Sequence, residues 1–365
     1  MQFNSIDFLV FFPAVVLIYW IIPKKVRYLW LLVASYYFYM SWNASYALLI
    51  GASTLITYVC GLLVEWIGTH EEKGWSVAGK LVVAVGFLSN LGILFFYKYF
   101  DFFLTNLNVV LEHFQKKTLT SSLEVLLPVG ISFYTFQSVG YILDVYWKRY
   151  EPEKNIFKFA LFVSFFPQIL QGPIGRYSNL AHQFYEEHSF DFMRIERGVQ
   201  RVLWGFFKKM VIADTAAVFV DAIFDQYQTY NGLAIFGVLA YSAQLYGDFS
   251  GGMDVVIGIA SMFGIEMDEN FKRPYFSISI TDFWHRWHIT LGTWMKDYLF
   301  YPLSLSKGMG KFGKFAKKTF GKTYGRALPI CVANIVVFLV VGIWHGAAWK
   351  FIVYGLYNGI IIGFS

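Results

Sequence analysis

The chain has 365 residues, of which 57% are hydrophobic and only 15% are charged. Soluble domains carry about 25% charged residues, so this composition argues against a soluble globular enzyme. The aromatic content of 21% argues against intrinsic disorder. The net charge of +6 does not indicate a nucleic-acid partner, because seven basic residues are concentrated between Lys307 and Arg326. A basic stretch between apolar runs is typical of a cytoplasmic loop in a membrane protein.

Long uncharged stretches recur along the whole chain. A helix needs about 20 apolar residues to cross a bilayer, and backbone groups in lipid must hydrogen-bond internally, which favours helices over open sheet. Tyr28–Val64 is long enough for two spans with a break near Ser41–Asn43, and a further span is predicted at Val202–Val220. The uncharged stretches are Phe8–Pro23, Tyr28–Val64, Leu81–Tyr97, Val125–Leu143, Phe159–Gly175, Gln226–Gly247, Ala327–Trp349 and Phe351–Ser365.

These stretches predict an all-α polytopic membrane helical bundle with about nine to eleven embedded helices, some of them short or re-entrant. We expect a single membrane-embedded domain over residues 1–365. The segment Glu266–Arg326 is too polar to cross lipid and too aromatic for a simple linker. It therefore predicts an interfacial or re-entrant segment followed by the basic loop.

Two polar breaks interrupt the apolar pattern. The pair Gly251–Gly252 lies between Asp248 and Asp254 and predicts an unwound turn, because glycine destabilises a helix interior. Pro173 predicts a second break within Gln168–Arg176, since proline limits helix continuation. The polar side chains at both breaks either line a cavity or are hydrated at the membrane interface. The residues alone leave both alternatives open.

The histidine in the Trp-His-Gly block, His345, lies in an apolar stretch whose other titratable residue is Cys331. Ionisable residues inside a membrane are costly and are commonly functional. The small residues Gly346–Ala348 leave space for a substrate beside the ring, and burial favours the neutral imidazole that can act as a base. The alternative is a neutral ring that bonds a neighbouring carbonyl and has no catalytic role.

A second histidine, His288, lies in a tryptophan-rich segment whose spacing predicts one helix from Asp282 to Tyr298. On that helix His288 points into the aromatic face and His285 stands at its edge. A lone histidine on an apolar face is more often a core residue than a catalyst, and that alternative stays open. The two histidines could share a zinc ion, but no third ligand follows at a fixed spacing, so we predict no metal site. The aromatic face comprises Trp284, Trp287, His288, Leu291, Met295 and Tyr298.

Several blocks of the sequence resemble known signatures. Two blocks resemble the paired histidine signatures of membrane-bound O-acyltransferases. The first is Asp282–Leu291, followed by Trp294 and Asp297–Leu299, and the second is Trp344–Gly346. Further blocks resemble the alginate O-acetylase branch of that family. They are Phe3–Ser5, Phe166–Ile174, Arg176–Tyr177 and Asp248–Gly251 with Asp254. The resemblance covers essentially the whole chain.

The resemblance implies that His345 is the catalytic histidine and that His288 is the second functional position. The activity it implies is transfer of an acyl group, in this branch acetyl, across a membrane. We predict that six further residues bind substrate or line the cavity. They are Trp344, Trp287, Asp248, Asp254, Gln168 and Arg176.

The donor implied by the resemblance is a cytosolic thioester, acetyl-CoA or an acyl carrier protein, which is a substrate and not a tightly bound cofactor. The acceptor implied is a hydroxyl of a cell-surface polysaccharide or another envelope polymer, reached through an extracytoplasmic partner protein. These expectations place the chain in the bacterial cytoplasmic membrane as a multi-pass protein. Members of this branch usually continue with more helices, so the resemblance predicts a truncated or short variant ending at Ser365.

Three other functions stay open from the sequence. D-alanyl transfer to teichoic acid is related chemistry, although the Phe-Pro-Gln and Asp-Phe-Ser-Gly blocks favour acetyl. A transporter or flippase would use broken helices and intramembrane polar groups equally well, but we see no half-to-half repeat in the sequence. A scaffold subunit of a secretion complex would not require His345.

Overall fold

The computed structural model describes residues 1–70, 77–119 and 127–364. Every regular element in those ranges is a helix, which confirms the predicted all-α class, and one isolated bridge pairs Phe271 with Trp287. Two π-helical segments, Phe207–Ala213 and Lys296–Phe300, directly precede α11 and α16. The helices are α1 (Ile6–Ile21), α2 (Arg27–Met40), α3 (Ser45–His70), α4 (Val77–Lys98), α5 (Phe100–His113), α6 (Ile131–Tyr146), α7 (Ile156–Ser164), α8 (Phe166–Gln171), α9 (Tyr177–Leu180), α10 (Phe192–Phe206), α11 (Asp214–Asp225), α12 (Tyr227–Tyr230), α13 (Ala234–Met262), α14 (Ile280–Arg286), α15 (Ile289–Met295), α16 (Tyr301–Ser304), α17 (Lys307–His345) and α18 (Trp349–Phe364).

Three helices of the described ranges are long and apolar enough to cross a membrane: Ser45–Gly68, Val77–Lys98 and Lys307–His345. Three shorter apolar segments, Ile6–Ile21, Ile156–Gln171 and Trp349–Phe364, add to them. The break predicted near Ser41–Asn43 is confirmed between α2 and α3. The count of about nine to eleven embedded helices stays a prediction. The start of the predicted run Val125–Leu143 and the last residue of Phe351–Ser365 lie outside the described residues.

The described residues group into two compact units. The first contains Met1–Tyr58 and Glu153–Asn270, and the second contains Val59–Pro152 and Phe271–Ser365. The single membrane domain expected over residues 1–365 stays a prediction.

Close packing of α10 on α13 organises the first unit. A Cβ atom built on Gly251 would lie 2.7 Å from the carbonyl oxygen of Gly205, and one on Gly258 would lie 2.8 Å from that of Gly198. Side chains at these positions would force the two backbones apart. The unwound turn predicted at Gly251–Gly252 is therefore wrong: α13 runs unbroken through both glycines, because they serve helix–helix contact.

The break predicted at Pro173 is confirmed in the same unit. Helix α8 ends at Gln171, and Gly172 has an extended backbone. The side-chain amide nitrogen of Gln168 donates a hydrogen bond to the carbonyl oxygen of Pro173 at 2.8 Å. The chain beyond the helix is thus tied back to its last turns.

The second unit departs from the single helix predicted over Asp282–Tyr298, and that prediction is wrong. Helix α14 ends at Arg286, Trp287 is extended, and His288 has a left-handed backbone with φ of 49° and ψ of 51°. The Phe271–Trp287 bridge, with a 2.9 Å hydrogen bond from the amide of Lys272 to the carbonyl of Arg286, holds this stretch out of the helix. Local spacing could not reveal this distant backbone partner.

The predicted basic loop Lys307–Arg326 is also wrong in conformation, because it is helical. At Gly321 the backbone turns with φ of 90°, and the first half of α17 folds back on the second half. A Cβ atom on Gly313 would lie 3.3 Å from Pro329, and one on Gly325 would meet Lys317. Five of the seven basic residues therefore lie on the first arm of a helical hairpin, and Lys322 and Arg326 lie just after its turn. The predicted cytoplasmic location of these residues is a separate prediction.

We expect Gly251→Ala to lower the free energy of unfolding of the first unit by about 1–3 kcal/mol, because the new methyl group overpacks a backbone contact. The measurement is the thermal unfolding midpoint in detergent. The matched control is Gly51→Ala in α3, since a Cβ atom at Gly51 meets nothing within 4 Å. Alanine there should be neutral or slightly stabilising. Equal midpoints for the two variants would contradict the packing role of Gly251.

Candidate active site

Four of the eight predicted site residues lie in the second unit, and two of these, the histidines, each contact the ring of a third, Trp344. The indole of Trp344 lies 5.8 Å from the ring of His288 and 5.1 Å from the ring of His345, centroid to centroid. Trp287, the fourth, directly precedes His288 and is 8% exposed. The paired histidine blocks, far apart in sequence, therefore meet at Trp344.

The His345 ring is oriented by its own helix. His345 is the last residue of α17, and its Nδ1 lies 2.7 Å from the carbonyl oxygen of Val341. A carbonyl oxygen only accepts hydrogen bonds, so in the neutral ring Nδ1 carries the hydrogen and Nε2 carries the lone pair. His345 is an exposed residue, and its ring lies beside Phe351 and Tyr354. It can therefore present a proton-accepting nitrogen.

The environment of His288 is different. His288 is only 3% exposed. It has a left-handed backbone and directly precedes the first residue of α15. Burial, with a smaller contribution from His345, lowers the pKa of His288 to about 3. The ring is therefore neutral at physiological pH. The neutral ring can donate one hydrogen bond and accept another, but it carries no charge.

A cavity of about 470 Å³ adjoins His288. Its wall comprises mainly residues of the α14–α15 region and of α17, and includes Trp287. Besides His288, the polar side chains in the wall are Thr281, His285, Thr293, Lys296, Asp297 and Asn334. Neither Trp344 nor His345 belongs to this wall, so the cavity is accessible to only one of the two histidines.

Helix α6 anchors the segment that follows His288. The indole nitrogen of Trp294 donates to the carbonyl oxygen of Phe136 at 3.1 Å, and the hydroxyl of Tyr298 donates to the buried carboxylate of Asp144 at 2.6 Å. The ring of Phe136 stacks on Trp294 at 4.1 Å and on Trp344 at 5.6 Å. One aromatic side chain of α6 thus contacts both histidine-bearing segments.

Two neighbouring residues at the end of α4 contact the end of α17, and the sequence analysis missed both. The ammonium group of Lys98 donates to the carbonyl oxygen of Trp344, and to the hydroxyl of Ser132 at 3.0 Å. The hydroxyl of Tyr99 donates to the carbonyl oxygen of Ile343 at 2.9 Å. The available signal was a lysine that closes an apolar run, a position where lysine side chains commonly extend to the membrane interface.

The other four predicted residues lie in the first unit. Asp254 forms ion pairs with Arg201 at 2.9 Å and with Lys208. Gln168 holds the break at Pro173, as described above. The contact of these two residues with substrate stays a prediction, and the same holds for Asp248 and Arg176. Asp248 forms an ion pair with Lys209 at 2.8 Å, and Arg176 lies in the wall of a cavity of about 250 Å³ with Glu266 and Asp268.

Among residues 1–70, 77–119 and 127–364, no group of three or more His, Cys, Asp or Glu side chains is arranged to hold a metal ion.

The model of the membrane-bound O-acyltransferase family matches residues 153–365. The chain is 38% identical over 363 residues to the probable alginate O-acetylase AlgI of Azotobacter vinelandii, covering 98% of this chain and 67% of that protein. It is 35% identical over 362 residues to the peptidoglycan O-acetyltransferase of Helicobacter pylori, covering 92% and 63%. It is 30% identical over 245 residues to the teichoic acid D-alanyltransferase of Bacillus subtilis, covering 64% and 58%. The chain thus spans about two thirds of the length of the two O-acetylating relatives.

We expect Tyr298→Phe to destabilise the second unit by about 1.5–3 kcal/mol, because it removes a hydrogen bond to the buried carboxylate of Asp144. Arg149, which also bonds Asp144 at 2.7 Å, keeps the charge partly compensated. The measurement is the thermal unfolding midpoint in detergent, with Tyr357→Phe at a 64% exposed position as control. An unchanged midpoint for Tyr298→Phe would show that this hydrogen bond does not anchor the segment.

Proposed function

The chain belongs to the membrane-bound O-acyltransferase family, a family of enzymes, and on that premise we propose that it moves acetyl toward hydroxyl groups of a cell-envelope polysaccharide. The support comes from the named activities of its relatives. Two of them, a probable alginate O-acetylase and a peptidoglycan O-acetyltransferase, align with more than nine tenths of this chain. The teichoic acid D-alanyltransferase aligns with 64% of it. D-alanyl transfer is therefore the second candidate.

The observation that carries this proposal is the orientation of His345. Its Nδ1 bonds the carbonyl of Val341, so Nε2 is the nitrogen that can accept a proton. The acceptor hydroxyl gives its proton to Nε2 as its oxygen bonds the carbonyl carbon of the thioester. The carbon–sulfur bond then breaks, and the proton passes from Nε2 to the sulfur. The products are an ester and a thiol.

The proposed role of His288 is to orient the acyl donor. Its neutral ring lies in the wall of the cavity of about 470 Å³, where it can hydrogen-bond a carbonyl or thiol of the donor. Trp344 contacts both histidine rings, so its indole lies between a donor held at His288 and the base at His345. Positioning of this kind can supply a large part of a rate enhancement.

The donor, partner and location remain part of the proposal. The donor is a cytosolic thioester, acetyl-CoA or an acyl carrier protein, and the acetyl group reaches the polymer through an extracytoplasmic partner. The site is in the bacterial cytoplasmic membrane, which is supported by the family and by three helices of membrane-spanning length. Family membership favours acyl transfer over the transporter, flippase and scaffold alternatives.

We expect His345→Gln and His345→Ala to lower acyl transfer by at least about 100-fold, because neither side chain can act as a base. The measurement is the acetyl content of the envelope polymer in a deletion strain that carries each variant. The expression level and the thermal unfolding midpoint of both variants should stay close to those of the unsubstituted protein, since His345 is an exposed residue. The matched control is His113→Gln at an exposed position of α5. Near-normal acetylation by His345→Gln would exclude this residue as the base.

We expect His288→Asn to lower acyl transfer about tenfold or more while the protein stays folded. Asparagine tolerates the left-handed backbone of this position better than most residues, so the substitution removes the ring with little backbone strain. Activity and thermal midpoint are measured together, with His285→Asn at the exposed edge of the cavity as the comparison. If the loss of activity simply follows a loss of stability, His288 is a core residue.

A further inference from the structure

The C-terminal end of α17 is stabilised from outside the helix. The last carbonyl groups of a helix have no intrahelical N–H partner and need other donors. At Gly346 the chain leaves α17 in an extended conformation. The carbonyl oxygens of Ile343 and Trp344, in the last turn, receive the hydroxyl of Tyr99 and the ammonium of Lys98 instead. The last residue of α4, Lys98, and the next residue, Tyr99, thus cap the helix that carries His345.

The charge of Lys98 is directed at this helix end. A cation at a helix C-terminus interacts favourably with the helix dipole, and hydrogen bonds from ionised donors are stronger than neutral ones. The ion pairs among the described residues do not include Lys98. Its ammonium also lies 5.6 Å from the indole centre of Trp344 and bonds Ser132 of α6 at 3.0 Å. Its contacts on α17 are therefore with Trp344, the residue directly before His345.

The far side of the same turn is attached to the same part of the chain. Trp349, the first residue of α18, donates its indole N–H to the side-chain oxygen of Asn106 in α5 at 2.9 Å, and its ring packs on Phe102 at 5.9 Å. Only Gly346–Ala348 separate α17 from α18. The segment from Lys98 to Asn106 therefore holds the Trp-His-Gly turn at both of its ends.

We propose that Lys98 and Tyr99 are positioning residues for His345. His345 obtains its orientation from the carbonyl of Val341, four residues earlier in the same last turn. If that turn loosens, the acceptor of Nδ1 moves and the direction of Nε2 is lost. A misplacement of about 1 Å in a catalytic group can cost about 100-fold in rate. This proposal rests on the proposed function of His345 and adds the device that keeps its ring in place.

Two substitutions test the proposal. Lys98→Met removes the ammonium but keeps a long apolar side chain, and Tyr99→Phe removes one hydroxyl. The matched controls on the same helix are Lys80→Met at an exposed position and Tyr97→Phe. We expect kcat to fall about tenfold for Lys98→Met and a few-fold for Tyr99→Phe, with KM little changed, because the interaction acts on the base and not on substrate binding. Lys98→Arg, which keeps the charge and the donors, should recover part of the lost activity.

A second measurement is independent of acyl transfer. Amide hydrogen exchange of the peptide Gly342–Trp349 should become about tenfold faster in Lys98→Met, because fraying of the last turn exposes its backbone bonds. The controls should leave that exchange unchanged. If exchange accelerates but His345→Gln still transfers acetyl normally, the function assigned to His345 fails and the positioning role with it. If His345 is essential but Lys98→Met changes neither exchange nor kcat, the positioning role of Lys98 alone is refuted.

Discussion

A single hydrogen bond within the last turn of α17 determines what the candidate site can do. The 2.7 Å contact between Nδ1 of His345 and the carbonyl of Val341 makes Nε2 the proton acceptor. That contact exists only while the turn stays helical up to its final residue. Helix ends lack internal partners for their carbonyl groups, and water that could replace those partners is scarce inside a membrane. The side chains of Lys98 and Tyr99 supply the missing donors.

The two histidines are brought to Trp344 by different structural features. His345 is held by the regular end of a long helix, whereas His288 is placed by an interruption in one. Pairing of the backbone at Phe271 with Trp287 takes the chain out of α14, and His288 then adopts a left-handed conformation before α15 begins. Non-glycine residues are uncommon in that conformation and often occur where a side chain must be aimed. Phe136 of α6 stacks against both segments.

In the first unit, the contacts of the small and charged residues are mainly structural: helix packing and ion pairs. Glycines of α10 and α13 allow two backbones to approach directly. Beside them, Asp254 forms ion pairs with Arg201 and Lys208. A carboxylate held by two cations is expensive to separate from them, because desolvated charges need their partners. Polar residues inside an apolar sequence thus have a structural use that their spacing does not distinguish from a functional one.

The sequence by itself determined the helical class, the break at Pro173 and the histidines worth examining. Composition and uncharged length are enough for these, because the bilayer leaves the backbone few alternatives, and Trp344 and His345 are neighbours in the chain. The tertiary structure alone decided that α13 continues through Gly251–Gly252, that Trp287 and His288 leave the helix, and that Lys98 caps α17. Each of these depends on a partner far away in sequence. Helical periodicity describes one segment at a time, so it cannot report a backbone contact, a bridge or a cap that another segment supplies.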